Sequence, residues 1–127
     1  IFRHVVLGES ADGGKSWKNL RPVVGADKRP FLESGECNGE ILEMKDGRLV
    51  LIHQKRYPRN ASELVARVST DGGRTWQSDR YRVNFGFGYS SSLLLGDGTI
   101  VTATGSSDSG GGQPRGATAV RWRLAAK

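Results

Sequence analysis

One cysteine, one methionine and four prolines stand in a chain of 127 residues. A single cysteine, Cys37, excludes an internal disulfide and a cysteine-built zinc cluster, and reads as a small buried apolar residue. His4 and His53 have no ligand-like spacing, so no metal site and no cofactor are expected. No apolar run approaches the ~18 residues that a membrane-spanning helix requires, so no membrane span is expected. Basic runs are missing too. The 19 Lys and Arg outnumber the 13 Asp and Glu for a net charge of +6, yet they are scattered, with no run of about five to eight basic residues. That scatter argues against a nucleic-acid partner and for a solvated surface suited to anionic glycans. Helix-favouring runs are few, whereas glycine is abundant at 18 residues. With turn signals throughout, the class expected is all-β, and the length allows one small core.

What is present in duplicate organises the rest. Ser10-Ala11-Asp12-Gly13-Gly14-Lys15-Ser16-Trp17 returns as Ser69-Thr70-Asp71-Gly72-Gly73-Arg74-Thr75-Trp76. Tryptophan is rare enough that two chance copies of the pattern Ser-x-Asp-Gly-Gly-(Lys/Arg)-(Ser/Thr)-Trp are excluded. The pattern suits a tight connection between antiparallel strands. Asp12 and Asp71 can accept backbone N–H groups in an Asx-type turn, while the paired glycines supply positive φ. Ser10 and Ser69 offer hydroxyls to the same turn, and Trp17 and Trp76 can each lay a ring over it. These residues, with Gly14 and Gly73, are therefore read as structural.

The motif is the Asp-box, or bacterial neuraminidase repeat, and through it the chain resembles the sialidase superfamily. That resemblance implies a six-bladed β-propeller with each box between the third and fourth strands of a blade, on the face away from the active site. It also implies a secreted or periplasmic protein acting on glycans. The length is too short for a closed ring of the usual four to eight blades, roughly, of four strands each. The expectation is a partial β-propeller of two to three four-stranded antiparallel blades, with blade parts at 1–25, 37–84 and 88–124. Beginning at Ile1, in what reads as mid-strand, the chain is expected to be the C-terminal part of a longer protein whose remaining blades are its partners. The alternative is that short chains assemble to close the ring.

In order, a strand over 1–9 leads into the first box, an outer strand covers 20–24, and a polar crossing surrounds Pro30. The complete blade has strands at 40–45, 48–54 and 63–69, the second box, and an outer strand near 78–84. Asp46-Gly47 is a strong hairpin signal. Leu49-Val50-Leu51-Ile52 is apolar on both sides, as in a strand sandwiched between neighbours. The third unit has strands at 89–95, 99–104 and 117–124, with a turn at Gly96-Asp97-Gly98 and a glycine-rich loop over 105–116. By strand order the boxes and Asp-Gly turns fall at one end and the candidate binding residues at the other.

At that other end, Gly88-Tyr89-Ser90 resembles the segment that carries the nucleophilic tyrosine of sialidases. A phenol suits a substrate whose anomeric carbon bears a carboxylate, because an anionic Asp or Glu would be repelled. With a pKa near ~10 it needs a carboxylate beside it. Glu40 is the better placed candidate and Glu36 the other. Two bland readings stand beside these, a packed ring for Tyr89 and a hydrogen-bonded structural role for Glu40. The resemblance further implies arginines for the substrate carboxylate, for which Arg56, Arg59 and Arg115 are candidates. Cys37-Asn38 stands where an arginine of that set is expected, a departure that favours a binder over an enzyme. Asp108 reads as a turn residue, and His53 as a structural histidine. The implied function is that of an exo-α-sialidase-like glycoside hydrolase on sialylated or other acidic glycans. Its rival is a non-catalytic carbohydrate-binding or scaffold propeller.

Overall fold

The computed structural model describes residues 4–31, 36–58, 61–86, 88–106 and 116–125. Nine strands run through them: β1 (Val6–Glu9), β2 (Lys18–Pro22), β3 (Glu36–Glu43), β4 (Leu49–Lys55), β5 (Glu63–Ser69), β6 (Tyr81–Phe85), β7 (Ser90–Leu94), β8 (Ile100–Ser106) and β9 (Gly116–Trp122). They form three antiparallel sheets in the orders β1-β2, β3-β4-β5-β6 and β7-β8-β9, none of them closed. The protein is all-β, and among the described residues no helix is long and apolar enough to cross a membrane.

The apolar run of β4 explains how the sheets stack. Side chains alternate between the two faces of a strand. Val50 and Ile52 accordingly join Met44, Leu64, Ala66 and Ile100 in a core shared with the third sheet, against which Leu94 and Trp122 pack. Leu49 and Leu51 point the other way, into a core with Val23 and Trp76 to which the first sheet adds Val5 and Leu7. One strand serves two cores, so the middle sheet is filled on both faces. β3 lies along β7, and β6 approaches β9.

Several strand ends differ from the sequence reading, each for a local reason. β3 starts at Glu36 and not at residue 40, because a bulge carries pairing across the Asn38-Gly39 break: Cys37 pairs with Gln54, then Glu40 with Ile52. Asn38 takes φ 56° within it, a left-handed conformation that Asn tolerates. A Cβ on Gly39 would sit 2.9 Å from the Val5 side chain, so glycine lets the first sheet close down there. β2 spans Lys18–Pro22, starting directly after Trp17 and not at residue 20. β6 begins only at Tyr81, opposite Ala66, after a segment held to β5 by a side chain. Arg67 donates from Nη1 to the carbonyls of Gln77 at 3.2 Å and Ser78 at 2.7 Å.

Both eight-residue motifs build the same turn. In the second, the Ser69 hydroxyl donates to Asp71 and accepts the Gly73 N–H at 2.9 Å, while Asp71 accepts the Thr75 N–H at 2.9 Å and the Thr75 hydroxyl at 2.7 Å. In the first, Ser10, Asp12, Gly14 and Ser16 repeat this, with the Gly14 N–H on Ser10 Oγ at 2.8 Å and the Ser16 N–H on Asp12 at 2.9 Å. Gly13, Gly14, Gly72 and Gly73 have φ of 71°, 88°, 71° and 80°, which explains the glycine pair. Each Trp ring lies over the second glycine of its own turn. The copies differ in burial: Trp76 is 1% exposed and Trp17 62%.

These donors hold the motif carboxylates ionised. The Thr75 backbone N–H, assisted by the Thr75 and Ser69 hydroxyls, brings Asp71 from its ordinary 3.8 to about 2. For Asp12 the Ser16 hydroxyl leads, again to about 2. A folded-state pKa below the unfolded one means stability that is fully present above pH about 4 and is lost as pH falls towards about 2. Asp71 keeps part of its surface in water, so its share is on the order of 1 kcal/mol. Denaturant melts of wild type and Asp71→Asn should therefore converge as the pH is lowered through this window. A constant gap between them would rule out the carboxylate as its source.

Candidate functional site

The strand ends sort the candidate residues. The Asp46-Gly47 and Asp97-Gly98 turns adjoin, since Lys45 Nζ donates to the Gly96 carbonyl and Arg48 to that of Ala125. Ser69, which opens the second motif, pairs with Leu49 at this same end. Glu9 and Asn19, which flank the first motif, line one cleft with Arg74 of the second. Lys55 pairs with Glu63, and Ser90 with Thr104, at the opposite end. Arg56 and Tyr89 follow or precede those residues and so share that end.

Glycine fixes the chain around Tyr89. A Cβ on Gly88 would meet the Gly105 carbonyl oxygen at 2.6 Å, so the start of β7 and the end of β8 touch backbone to backbone. The Gly105 N–H donates to the Tyr89 carbonyl at 3.3 Å. Gly88→Ala must push rigid backbone apart and is expected to cost about 1–3 kcal/mol, read as a lower denaturant midpoint with an unchanged slope. A stability equal to wild type would mean that the contact is slack.

Tyr89 and Glu40 are not brought together. Ser90, Ser92 and Leu94 turn toward the middle sheet, while Ser91 and Leu93 face outward with Tyr89, which is 79% exposed. Glu40 lies between the sheets and accepts the Ser92 N–H at 2.9 Å, the Ser92 hydroxyl at 2.7 Å and the Ser90 hydroxyl at 3.4 Å. This fits the hydrogen-bonded structural reading of Glu40; as the partner of Tyr89 it lies on the wrong face of β7.

The sequence reading missed what lies behind Glu40. Trp122 Nε1–H can only donate, and it does so to Thr102 Oγ1 at 3.0 Å. Thr102 Oγ1 lies 2.9 Å from Ser92 Oγ, whose own proton goes to Glu40. A donor-only indole at one end and an acceptor-only carboxylate at the other fix the direction of every bond, from β9 through β8 and β7 to β3. Thr102 is fully buried. The signal was the polar run Ser90-Ser91-Ser92 opening a strand that should otherwise be apolar.

No family model matches this chain, and no curated protein or solved structure matches it. The geometry therefore stands on its own. Arg56 follows β4, and its carbonyl accepts the Ser62 hydroxyl at 2.9 Å. Arg59, Arg115 and Asp108 lie outside the described residues. The backbone of Glu36 opens β3 opposite Lys55. His53 is buried within β4, 1% exposed. Among the described residues no group of three His, Cys, Asp or Glu could hold a metal.

Proposed function

We propose that the chain is part of an Asp-box β-propeller of the sialidase type, the C-terminal part of an exo-α-sialidase-like glycoside hydrolase acting on sialylated or other acidic glycans. The observation that carries this reading is Tyr89, exposed at the end of the strands away from the motif turns and anchored by the Gly88–Gly105 contact. A further support is the character of the outer faces. Val6, Trp17 and Leu20 on the first sheet and Leu93 on the last are 58–72% exposed, which suits sheets that continue their stacking on the remaining blades of a parent chain.

In the hydrolysis, the Tyr89 oxygen attacks the anomeric carbon as its proton passes to a carboxylate. The bond to the leaving oxygen breaks as an acid protonates that oxygen. Water then cleaves the tyrosyl glycoside, giving net retention. Glu40 is engaged elsewhere, so the proton-accepting carboxylate, like the acid, belongs to other blades of the parent. The second reading, a non-catalytic glycan-binding propeller, is favoured by that engagement and by Cys37-Asn38 in place of an arginine. The test is release of sialic acid from a fluorogenic sialoside by the full-length parent. Release supports the hydrolase; retention on a sialylated glycan without release selects the binder; neither overturns both.

A further inference from the structure

The middle and third sheets open on the same hairpin. In the middle sheet the Met44 N–H donates to the Arg48 carbonyl and the Gly47 N–H to that of Met44, at 2.8 and 2.9 Å; in the third the Leu95 N–H donates to Thr99 and the Gly98 N–H to Leu95, at 2.8 and 3.0 Å. Laying Asp97-Gly98 on Asp46-Gly47 sets Leu93 on Leu42, Val101 on Val50 and Ala103 on Ile52. The registers agree, since Leu42 pairs with Val50 and Leu93 with Val101. Ala119 and Ala117, paired with Ala103 and Gly105, then stand where Ala66 and Leu64 do, paired with Ile52 and Gln54. In the middle sheet this face is core, packed against the third sheet. In the third sheet the same face is open, with Leu93, Ala103, Ala117 and Ala119 all exposed.

The first sheet leaves the opposite half open. Laying its motif on the second sets Val6 on Val65, Gly8 on Arg67 and Trp17 on Trp76. Leu7 packs toward the middle sheet, so its neighbours Val6 and Gly8 face away. A Cβ on Gly8 would lie 2.9 Å from Leu20 Cδ2 and 3.4 Å from Trp17 Cε3, which puts both side chains on that outer face. Their counterparts on the middle sheet meet the first sheet: Trp76 packs in one core with Val23, Val5 and Leu7, and the Arg67 guanidinium lies 3.8 Å over the Phe31 ring. Trp76 is covered by a neighbouring sheet at the place where Trp17 stands exposed.

The chain therefore makes one kind of sheet-to-sheet contact twice, first on middle and middle on third, and ends with one unused half of it at either side. The third sheet offers the half that the middle sheet turns toward the third; the first sheet offers the half that the middle sheet turns toward the first. The two open faces are partners for each other. Within one chain they lie on opposite sides of the stack, so they meet only between copies. We propose that the 127-residue chain binds a second copy of itself head to tail, with the outer face of the third sheet, around Leu93, Val101 and Ala103, seated on the outer face of the partner's first sheet, around Val6, Trp17 and Leu20. The contact is heterologous, using a different face of each copy. Other blades of a longer parent would compete for the same two faces, and the proposal does not depend on the hydrolase reading.

Sedimentation of the wild-type chain and of two variants, alone and mixed, tests it. At about 100 μM the wild type should sediment as two copies or more and dissociate on dilution, as expected for micromolar association. Leu93→Asp alters only the third-sheet face and Leu20→Asp only the first-sheet face, both at exposed side chains, and circular dichroism verifies that each variant folds. Either variant alone should be monomeric, its association weakened at least about 100-fold, because every contact it can form buries an unpaired carboxylate. Mixed in equal amounts, the two should associate again and stop at two copies, since one contact joins unsubstituted faces and the faces left over both carry the substitution. A face that pairs with itself would leave one variant associated as in wild type, and that result would overturn the proposal. So would a mixture as monomeric as its components, or a monomeric wild type, which would leave these faces to other blades of a parent.

Discussion

Trp76→Ala is expected to cost about 3–5 kcal/mol, the range for deleting a large buried aromatic side chain, whereas Trp17→Ala should cost less than about 1 kcal/mol, as for an exposed residue. The two residues hold the same place in the same motif, so the difference isolates packing from turn chemistry. Trp76 lies between the middle and first sheets with Leu51 and Val23, and its backbone N–H donates to the Val24 carbonyl at 2.9 Å. Its indole N–H is buried without a hydrogen-bond partner, so the stabilisation comes from the ring's apolar surface, and no side-chain hydrogen bond is lost on substitution. A loss of this size is a large fraction of the stability of a small domain, and the variant should be partly unfolded at room temperature. Urea titration followed by circular dichroism measures both. Equal losses for the two variants would mean that the motif stabilises through its turn alone, and the account of Trp76 as a plug between sheets would fail.

What could be read from the residues, and what could not, divides along the range of the interaction. The motif hydrogen bonds join residues two to four positions apart, and there residue identity nearly dictates geometry. β5 was legible to its ends for the same reason, since the motif closes it at Ser69. The double-sided character of β4 was legible as well, because a strand apolar on both faces needs two neighbours. The face taken by Tyr89 was not. Adjacent residues in a strand point oppositely, so a one-residue difference in where β7 is entered separates Tyr89 from Glu40. The bulge at Cys37 to Glu40 hid in a pair, Asn38-Gly39, that reads equally well as a strand end.

Tyr89→Phe and Glu40→Gln should part company in the full-length parent. Under the hydrolase reading, Tyr89→Phe removes one oxygen from a side chain that is 79% exposed, so stability should stay within about 0.5 kcal/mol of wild type while turnover of a sialoside falls by at least about 100-fold. Glu40→Gln does the reverse. It replaces one carboxylate oxygen by an NH₂ donor facing hydroxyls and an N–H whose donated protons already have a direction, so part of the Trp122–Thr102–Ser92 chain loses its acceptor. Leaving a buried donor unsatisfied costs about 1–3 kcal/mol, and the sheets on either side of Glu40 should separate more readily. If Glu40 only joins sheets, the variant keeps the wild-type pH dependence of kcat. If it takes the proton of Tyr89, the acidic limb of that profile disappears. Urea midpoints and pH–rate profiles of the two variants distinguish these cases. Wild-type turnover by Tyr89→Phe removes the phenol from the chemistry.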